Sequence, residues 1–392
     1  MDTGFISLII IVVYLASMLG ITVWNPNRQK SSDAAGFFLA NRGVSSVLLP
    51  LTMIAAMQST FAFLGAPGMY YTHGINYIVI VLSQVWVALM VIYFGNKIRL
   101  LAKKYNYMSI GDYFMDRYDS SYIKILASVI SVLMTMVFLA MQYVGNARAL
   151  AVVSGNVVSY EIALLISVIF SLLYVLIGGS GGVVLIDAIQ AVVLMIGIVI
   201  AIIPPRAKGL YTTNYWIMQF IVLPFGIWFC PHIWTRSLMA KDANALAKSA
   251  ISIPVSQILI FGFSTLFIGI AGHQLLTNVE AADTVLPLMM VQYSNWLVAA
   301  LVMAAAISAG MSTINSMLLV SSQIVSQDII LFGKKNAISN EKNMILSRIV
   351  VLILAVVGAV IALKPPQALV QVVQDVAYTG LAQLAPGFIL GL

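Results

Sequence analysis

The chain has 392 residues, of which 61% are hydrophobic and 8% charged, with a formal net charge of +7. A soluble domain carries roughly a quarter charged residues, and the mean hydropathy here is +1.01, so a water-soluble globular fold is excluded. One cysteine (Cys230), three scattered histidines and no HExxH, GxGxxG or Walker-type loop give no disulfide, no thiolate metal site and nothing that reads as an enzyme.

Apolar runs of about 20 residues, the length that crosses a bilayer, recur from end to end. In chain order they fall near 4–24, 46–73, 77–101, 122–150, 159–179, 181–203, 213–235, 249–275, 294–325, 343–363 and 369–392. The first lacks a basic leading segment and is too long for a signal sequence, so it is read as a mature helix. Sixteen of the 20 Lys and Arg residues, Arg28 through Arg348, fall in alternate segments between spans; only Arg148, Arg206, Lys208 and Lys364 fall in the others. That bias makes the first set cytoplasmic and places the N-terminus outside, in a multi-pass protein of the inner (plasma) membrane. The positive charge is therefore a topology signal, and no nucleic-acid partner is expected.

Setting the first span aside leaves ten, divided five and five by the outer loop PPRAKGLYTTNY (204–215). Five is odd, so the halves enter the membrane from opposite sides, the inverted arrangement of many secondary transporters. The expected layout is an all-α polytopic membrane protein. Residues 1–45 form an extra transmembrane helix and cytoplasmic loop, 46–203 the first five-helix repeat and 204–392 the second. The first helix of each half is interrupted: Gly65, Pro67 and Gly68 in one, Pro224, Gly226 and Pro231 in the other. Interrupted backbone is tolerated in lipid where it lines a cavity, so a site is expected between these two helices.

The span at 294–325 carries an unusual load of small oxygens. Ser308, Ser312, Asn315 and Ser316 share a helical face, with Thr313 beside it. Such groups serve as glue between helices. They also suit a hard monovalent cation, which needs several oxygens converging from hydroxyls and from carbonyls freed by an unwound neighbour.

Here a family resemblance enters. AAAISAGMSTINSMLLVSSQIVSQD (304–328) resembles the eighth core helix of the sodium/solute symporter family, and GGSGGVVLIDAIQAVVLMIG (178–197) its fifth. CPHIWTRSLMAKDANAL resembles the sixth and its following loop, MIAAMQSTFAFLGAPG the first, and KPPQALV fits near the end. Within the family the pattern is most similar to sodium/pantothenate and sodium/proline symporters. The resemblance implies a LeuT-like five-plus-five fold with one extra N-terminal helix, and sodium as the ion required. Carried over, the sodium ligands would be the carbonyls of Ala55, Gln58 and Ala309 and the hydroxyls of Ser312 and Thr313. A second sodium would use Asp187, Asn315 and Ser316, although Asn315 stands where members with two ions show a serine. A carboxylate within a span is a functional hypothesis by default; the alternative for Asp187 is a structural partner to Ser316, Asn315 or Thr313.

For the solute, the polar groups expected to face the cavity are Gln58, Ser59, Thr60, Gln84, Gln142, Trp228 and His232. Helix N-termini at two breaks favour an anionic group, pointing to a carboxylate: pantothenate, a monocarboxylate or an amino acid such as proline. Asp375, near the outer end of the last span, has no role in this scheme. The expected partners are a small organic solute, sodium and the bilayer; the expected process is sodium-coupled symport by alternating access. A transporter-like sensory module and a channel are the competing readings. Family members continue for two or more further helices, so the sequence reads as a portion of such a chain.

Overall fold

The structure, a computed structural model, describes residues 3–25, 34–200, 215, 217–277, 279–333, 339–366 and 369–392. Of the segment 204–215 expected as the outer loop between the halves, all but Tyr215 lie outside them, as do the basic residues Arg28, Lys30, Arg206, Lys208, Lys334 and Lys335.

Among the described residues the chain is helical, with an isolated parallel bridge between Val44 and Ala240. In order, the helices are α1 (Thr3–Trp24), α2 (Leu48–Met57), α3 (61–73), α4 (79–105), α5 (Ile110–Tyr118), α6 (Ser121–Val153), α7 (Tyr160–Ile200) and α8 (218–228). They continue with α9 (Pro231–Met239), α10 (Ala243–Leu275), α11 (Val285–Tyr293), α12 (Trp296–Ile330), α13 (Asn340–Ala362), α14 (369–382) and α15 (Ala385–Leu390). Among the described residues seven helical stretches, with 61–105 (α3 and α4 together) counted as one, are long and apolar enough to cross a membrane. The expected span 46–73 is divided into α2 and α3, and 213–235 into α8 and α9.

The expected spans 159–179 and 181–203 form, over the described residues Tyr160–Ile200, one helical run interrupted at Gly179, with φ 52° and ψ −161°. Only glycine adopts that backbone readily, and it reverses the chain. Tyr174 donates its hydroxyl to Leu15 O at 2.7 Å, and Gln190 lies against Tyr14. A straight helix would separate residues 174 and 190 by about 24 Å along its axis, so both reach the same level of α1 only if the run doubles back.

α12 is the hub. Every residue from Val302 to Gln323 is buried, and the helix packs on α1, α6, α7 and α13. A membrane helix exposed to lipid needs an apolar coat; one enclosed by neighbours can carry hydroxyls. α6 spans the molecule beside it. Lys124 in its first turn pairs with Asp112 and Asp328, and Arg148 near its other end pairs with Asp283 and donates to Pro366 O at 2.7 Å. Twenty-four residues of helix put these clusters about 36 Å apart, near the two faces of a bilayer. Burial raises the Asp283 carboxyl above its usual range, opposed by the adjacent Arg148.

Candidate functional site: two broken helices against a polar hub

The break between α2 and α3 falls at Gln58–Thr60. Gln58 is extended (φ −90°, ψ 102°). Ser59 Oγ accepts from Phe61 N at 3.1 Å and Ser59 O from Ala62 N at 2.9 Å, while Gln142 Oε1 on α6 accepts from both Thr60 N (2.9 Å) and Thr60 Oγ1 (2.7 Å). With those donors diverted, the carbonyls of Ala56, Met57 and Gln58 lose their usual helical partners. In a dry environment an unwound turn requires polar groups to take over its N–H groups, and the QST triplet plus Gln142 supply them.

This corrects the expectation that Gly65, Pro67 and Gly68 mark the break. Gly65 is helical (φ −69°, ψ −47°), and the wider π turn at 61–65 takes up the proline without unwinding. Both glycines are there for close approach. A Cβ on Gly65 would lie 2.1 Å from Val370 Cγ2, and one on Gly68 would lie 2.3 Å from Ala282 O.

Between α8 and α9 the break comes at Phe229–Cys230, immediately before Pro231. Proline forces its predecessor out of the helical region, and Cys230 is extended (φ −56°, ψ 119°). Gly226 is again a packing glycine, its Cα against the Tyr378 carbonyl.

The two breaks face one another across a cavity of ≈ 10 Å³, room for about one water. Its lining includes Ala56, Met57 and Phe61 from the first break, Ile227, Cys230, His232 and Ile233 from the second, and Gln84, Gln257, Phe261 and Tyr378 around them. Gln84 Oε1, Gln257 Oε1 and His232 Nδ1 are buried without a hydrogen-bond partner among the described residues, so the wall offers neutral polar atoms among aromatic rings.

Of the residues expected at the solute, Gln84 and His232 line this cavity. Gln142 and Thr60 hold the break, with Thr60 clamped between Gly145 and Gly310. Ser59 caps it. Among the described residues, Trp228 is buried against Trp234 and Phe94 with Nε1 unpaired, and Gln58 is buried with its amide unpaired. Gln257 was missed, although a glutamine amid the apolar run after Pro254 is a readable signal; Phe61, Phe261 and Tyr378 carry no such mark. Asp375 is exposed.

Behind the first break, four oxygens meet. Ser312 Oγ lies 2.9 Å from both Ala55 O and Ala309 O, and Thr313 Oγ1 donates to Ala309 O at 3.1 Å. All are buried, neutral and hard. The donor set suits a monovalent cation, to which thiolates and imidazoles add nothing. Elsewhere on α12, Ser308 Oγ lies within hydrogen-bond distance of Tyr14 Oη and Ala304 O, Ser322 donates to Leu319 O, and Gln323 to Met108 O. The polar face thus divides into one oxygen cluster and several ties to neighbours.

Asp187 is not part of that cluster. Its Oδ2 accepts from Arg236 Nη2 at 2.7 Å, from Thr52 Oγ1 at 3.0 Å and from Ser316 Oγ at 3.3 Å. Arg236, counted among loop charges in the sequence, is buried in α9. The Asn315 amide is buried with no partner among the described residues.

The profile of the Sodium:solute symporter family matches residues 37–204 and 203–392. A sodium/pantothenate symporter from Haemophilus influenzae is 29% identical over 391 residues, covering 92% of this chain and 80% of its own. Sodium/proline symporter 2 from Staphylococcus saprophyticus is 25% identical over 403 residues, covering 93% and 77%. A solved Na+-coupled sialic acid symporter in a substrate-bound, outward-open state matches with a TM-score of 0.81 at 20% identity, covering 100% of this chain and 87% of its own. The fold is the LeuT-like inverted repeat with an extra N-terminal helix. With the family profile covering both halves, the chain belongs to the sodium:solute symporter family, as a multi-pass membrane transporter that couples sodium to a small organic solute and is not an enzyme.

Proposed function

We propose that sodium binds at the carbonyls of Ala55, Gln58 and Ala309 and the hydroxyls of Ser312 and Thr313, and that a carboxylate solute binds in the cavity between the breaks. The observation that carries this is the Ser312 hydroxyl at 2.9 Å from Ala55 O. It joins a carbonyl beside an unwound turn to the hub, where an ion would tie the moving helix to the fixed one. Gln84, Gln257 and His232 then read the solute's polar groups, while Phe61, Phe261 and Tyr378 cover its apolar part. Gln58, Ser59, Thr60 and Gln142 shape the break, and Trp228 backs the second one.

A cavity of ≈ 10 Å³ is too small for an organic acid, so the lining must part on one side at a time. The repeats run over 46–203 and 204–392, with 1–45 as the added helix and loop. The Lys and Arg bias puts the N-terminus and the Arg148–Asp283 pair outside, and the Lys124 cluster in the cytoplasm. Pantothenate is the first solute to try, because a relative at 29% identity bears its name; proline and short monocarboxylates follow. Uptake of a labelled panel of these acids into proteoliposomes, with an inward sodium gradient and with potassium in its place, tests the reading. Equal uptake of every member in both salts rejects it.

A further inference from the structure

We propose that Arg236 is a tethered cation occupying the seat that a second ion would need at Asp187 and Ser316, so that the chain binds a single sodium. The inference rests on the proposed sodium site at Ser312 and Thr313.

The geometry fixes where the guanidinium lies. Arg236 Nε donates to Thr52 O at 3.0 Å and to Thr52 Oγ1 at 3.2 Å. Nη1 donates to His232 O at 2.6 Å, and Nη2 to Asp187 Oδ2 and Ser316 Oγ, both at 2.7 Å. Thr52 precedes Ala55 by three residues on α2, and Ser316 follows Ser312 by four on α12. Each is about one helical turn, or 5.4 Å, from the proposed sodium ligands and displaced toward the same end. The guanidinium therefore touches the same two helices as the oxygen cluster, one turn further along. It also reaches α7 through Asp187 and its own helix through His232.

An ion at Asp187 and Ser316 would compete with this arginine for both groups. Arg236 is 3% exposed and Asp187 0%, so displacing the guanidinium would leave a buried charge unpaired, which is strongly destabilising. Arginine does not lose its proton in a protein, so its charge is permanent. The seat is filled at every stage of the cycle unless α9 itself moves away. The unpaired Asn315 amide fits the same picture: with the carboxylate neutralised by Arg236, nothing draws a further cation to that turn.

Equilibrium binding of 22Na+ to purified protein tests this without any solute. One ion per wild-type chain, with a Hill coefficient near 1, is expected. Arg236→Gln should free the seat and raise the count to two with cooperative binding, whereas Arg236→Lys and the double variant Arg236→Gln/Asp187→Asn should stay at one. Asp187→Asn alone should also keep its single ion, and it supplies the test if Arg236→Gln does not fold. Two ions on the wild type would overturn this inference and leave the Ser312 site standing. Loss of the ion in Asp187→Asn, or a single ion in folded Arg236→Gln, would overturn it as well. No sodium bound to the wild type would reject the underlying site, and this inference with it.

Discussion

Replacing Ser312 with alanine removes one hydroxyl from a cluster of four oxygens within 2.9–3.1 Å hydrogen-bonded contacts. The substitution creates no clash and only a small void. A buried hydrogen bond contributes about 0.5–1.5 kcal/mol net, and a buried acceptor stripped of its donor costs about 1–3 kcal/mol. A bound ion would lose one of its side-chain ligands in the same buried site. Taking about 1–3 kcal/mol for that loss, sodium affinity falls by about 5- to 150-fold. The measurement is the sodium concentration giving half-maximal uptake, with melting temperature followed in parallel. Linkage requires that sodium raise solute affinity by the factor by which solute raises sodium affinity, so apparent solute affinity should drop at subsaturating sodium and recover at saturating sodium. Ser322→Ala is the control, because among the described residues Ser322 bonds within its own helix, to Leu319 O; its half-saturation should be that of the parent. If Ser312→Ala and Thr313→Ala both fold normally and keep the parental half-saturation, the oxygen cluster is not the coupling site.

Gln142→Leu deprives Thr60 N and Thr60 Oγ1 of their shared acceptor; a loss of about 1–3 kcal/mol should appear as a lower melting temperature, and an unchanged one would show that the break is held by other groups. Gly68→Leu would drive a side chain into the Ala282 carbonyl, separating α3 from the turn at 282–284. Sodium and solute affinities should change together, and a change in only one would contradict a shared closure. Arg148→Met or Asp283→Leu alone leaves a largely buried charge without its partner, at about 3–5 kcal/mol; the double substitution should be milder than either, as read by a double-mutant cycle of thermal unfolding. Gln257→Leu should alter the rank order of the transported acids while leaving sodium half-saturation within about twofold, a small fraction of the 1.4 kcal/mol that corresponds to tenfold; an unaltered rank order would remove it from the solute wall.

Much was legible because membrane burial writes itself locally along the chain. Twenty-residue apolar runs, the Lys and Arg bias and the polar face of 308–323 are properties of neighbouring residues, read without knowing what lies across from them. Pro231 was legible for the same reason, since proline constrains its own predecessor whatever surrounds it. The first break was legible only as a region. Glycine and proline between 65 and 68 looked like the weak point, yet the chain opens at Gln58–Thr60, because unwinding in a dry site goes where donors and acceptors can be satisfied. The decisive acceptor, Gln142, is 82 residues away along the chain.

The sequence by itself determined the class of protein, the positions of its helices and the hydroxyl-rich hub, since each follows from hydropathy and period along one stretch of chain. Only the tertiary structure decided what the polar groups do. Ser312 and Ser316 lie one turn apart on one face, and the sequence offers both as cation ligands. Packing places Ser312 on the Ala55 carbonyl and Ser316 on a guanidinium. Asp187 likewise reads as a lone carboxylate until α9 brings in Arg236, 49 residues further on. The reason is physical: a buried charge or hydroxyl takes its character from whichever partner the low-dielectric interior sets against it, and that partner is chosen by how helices cross.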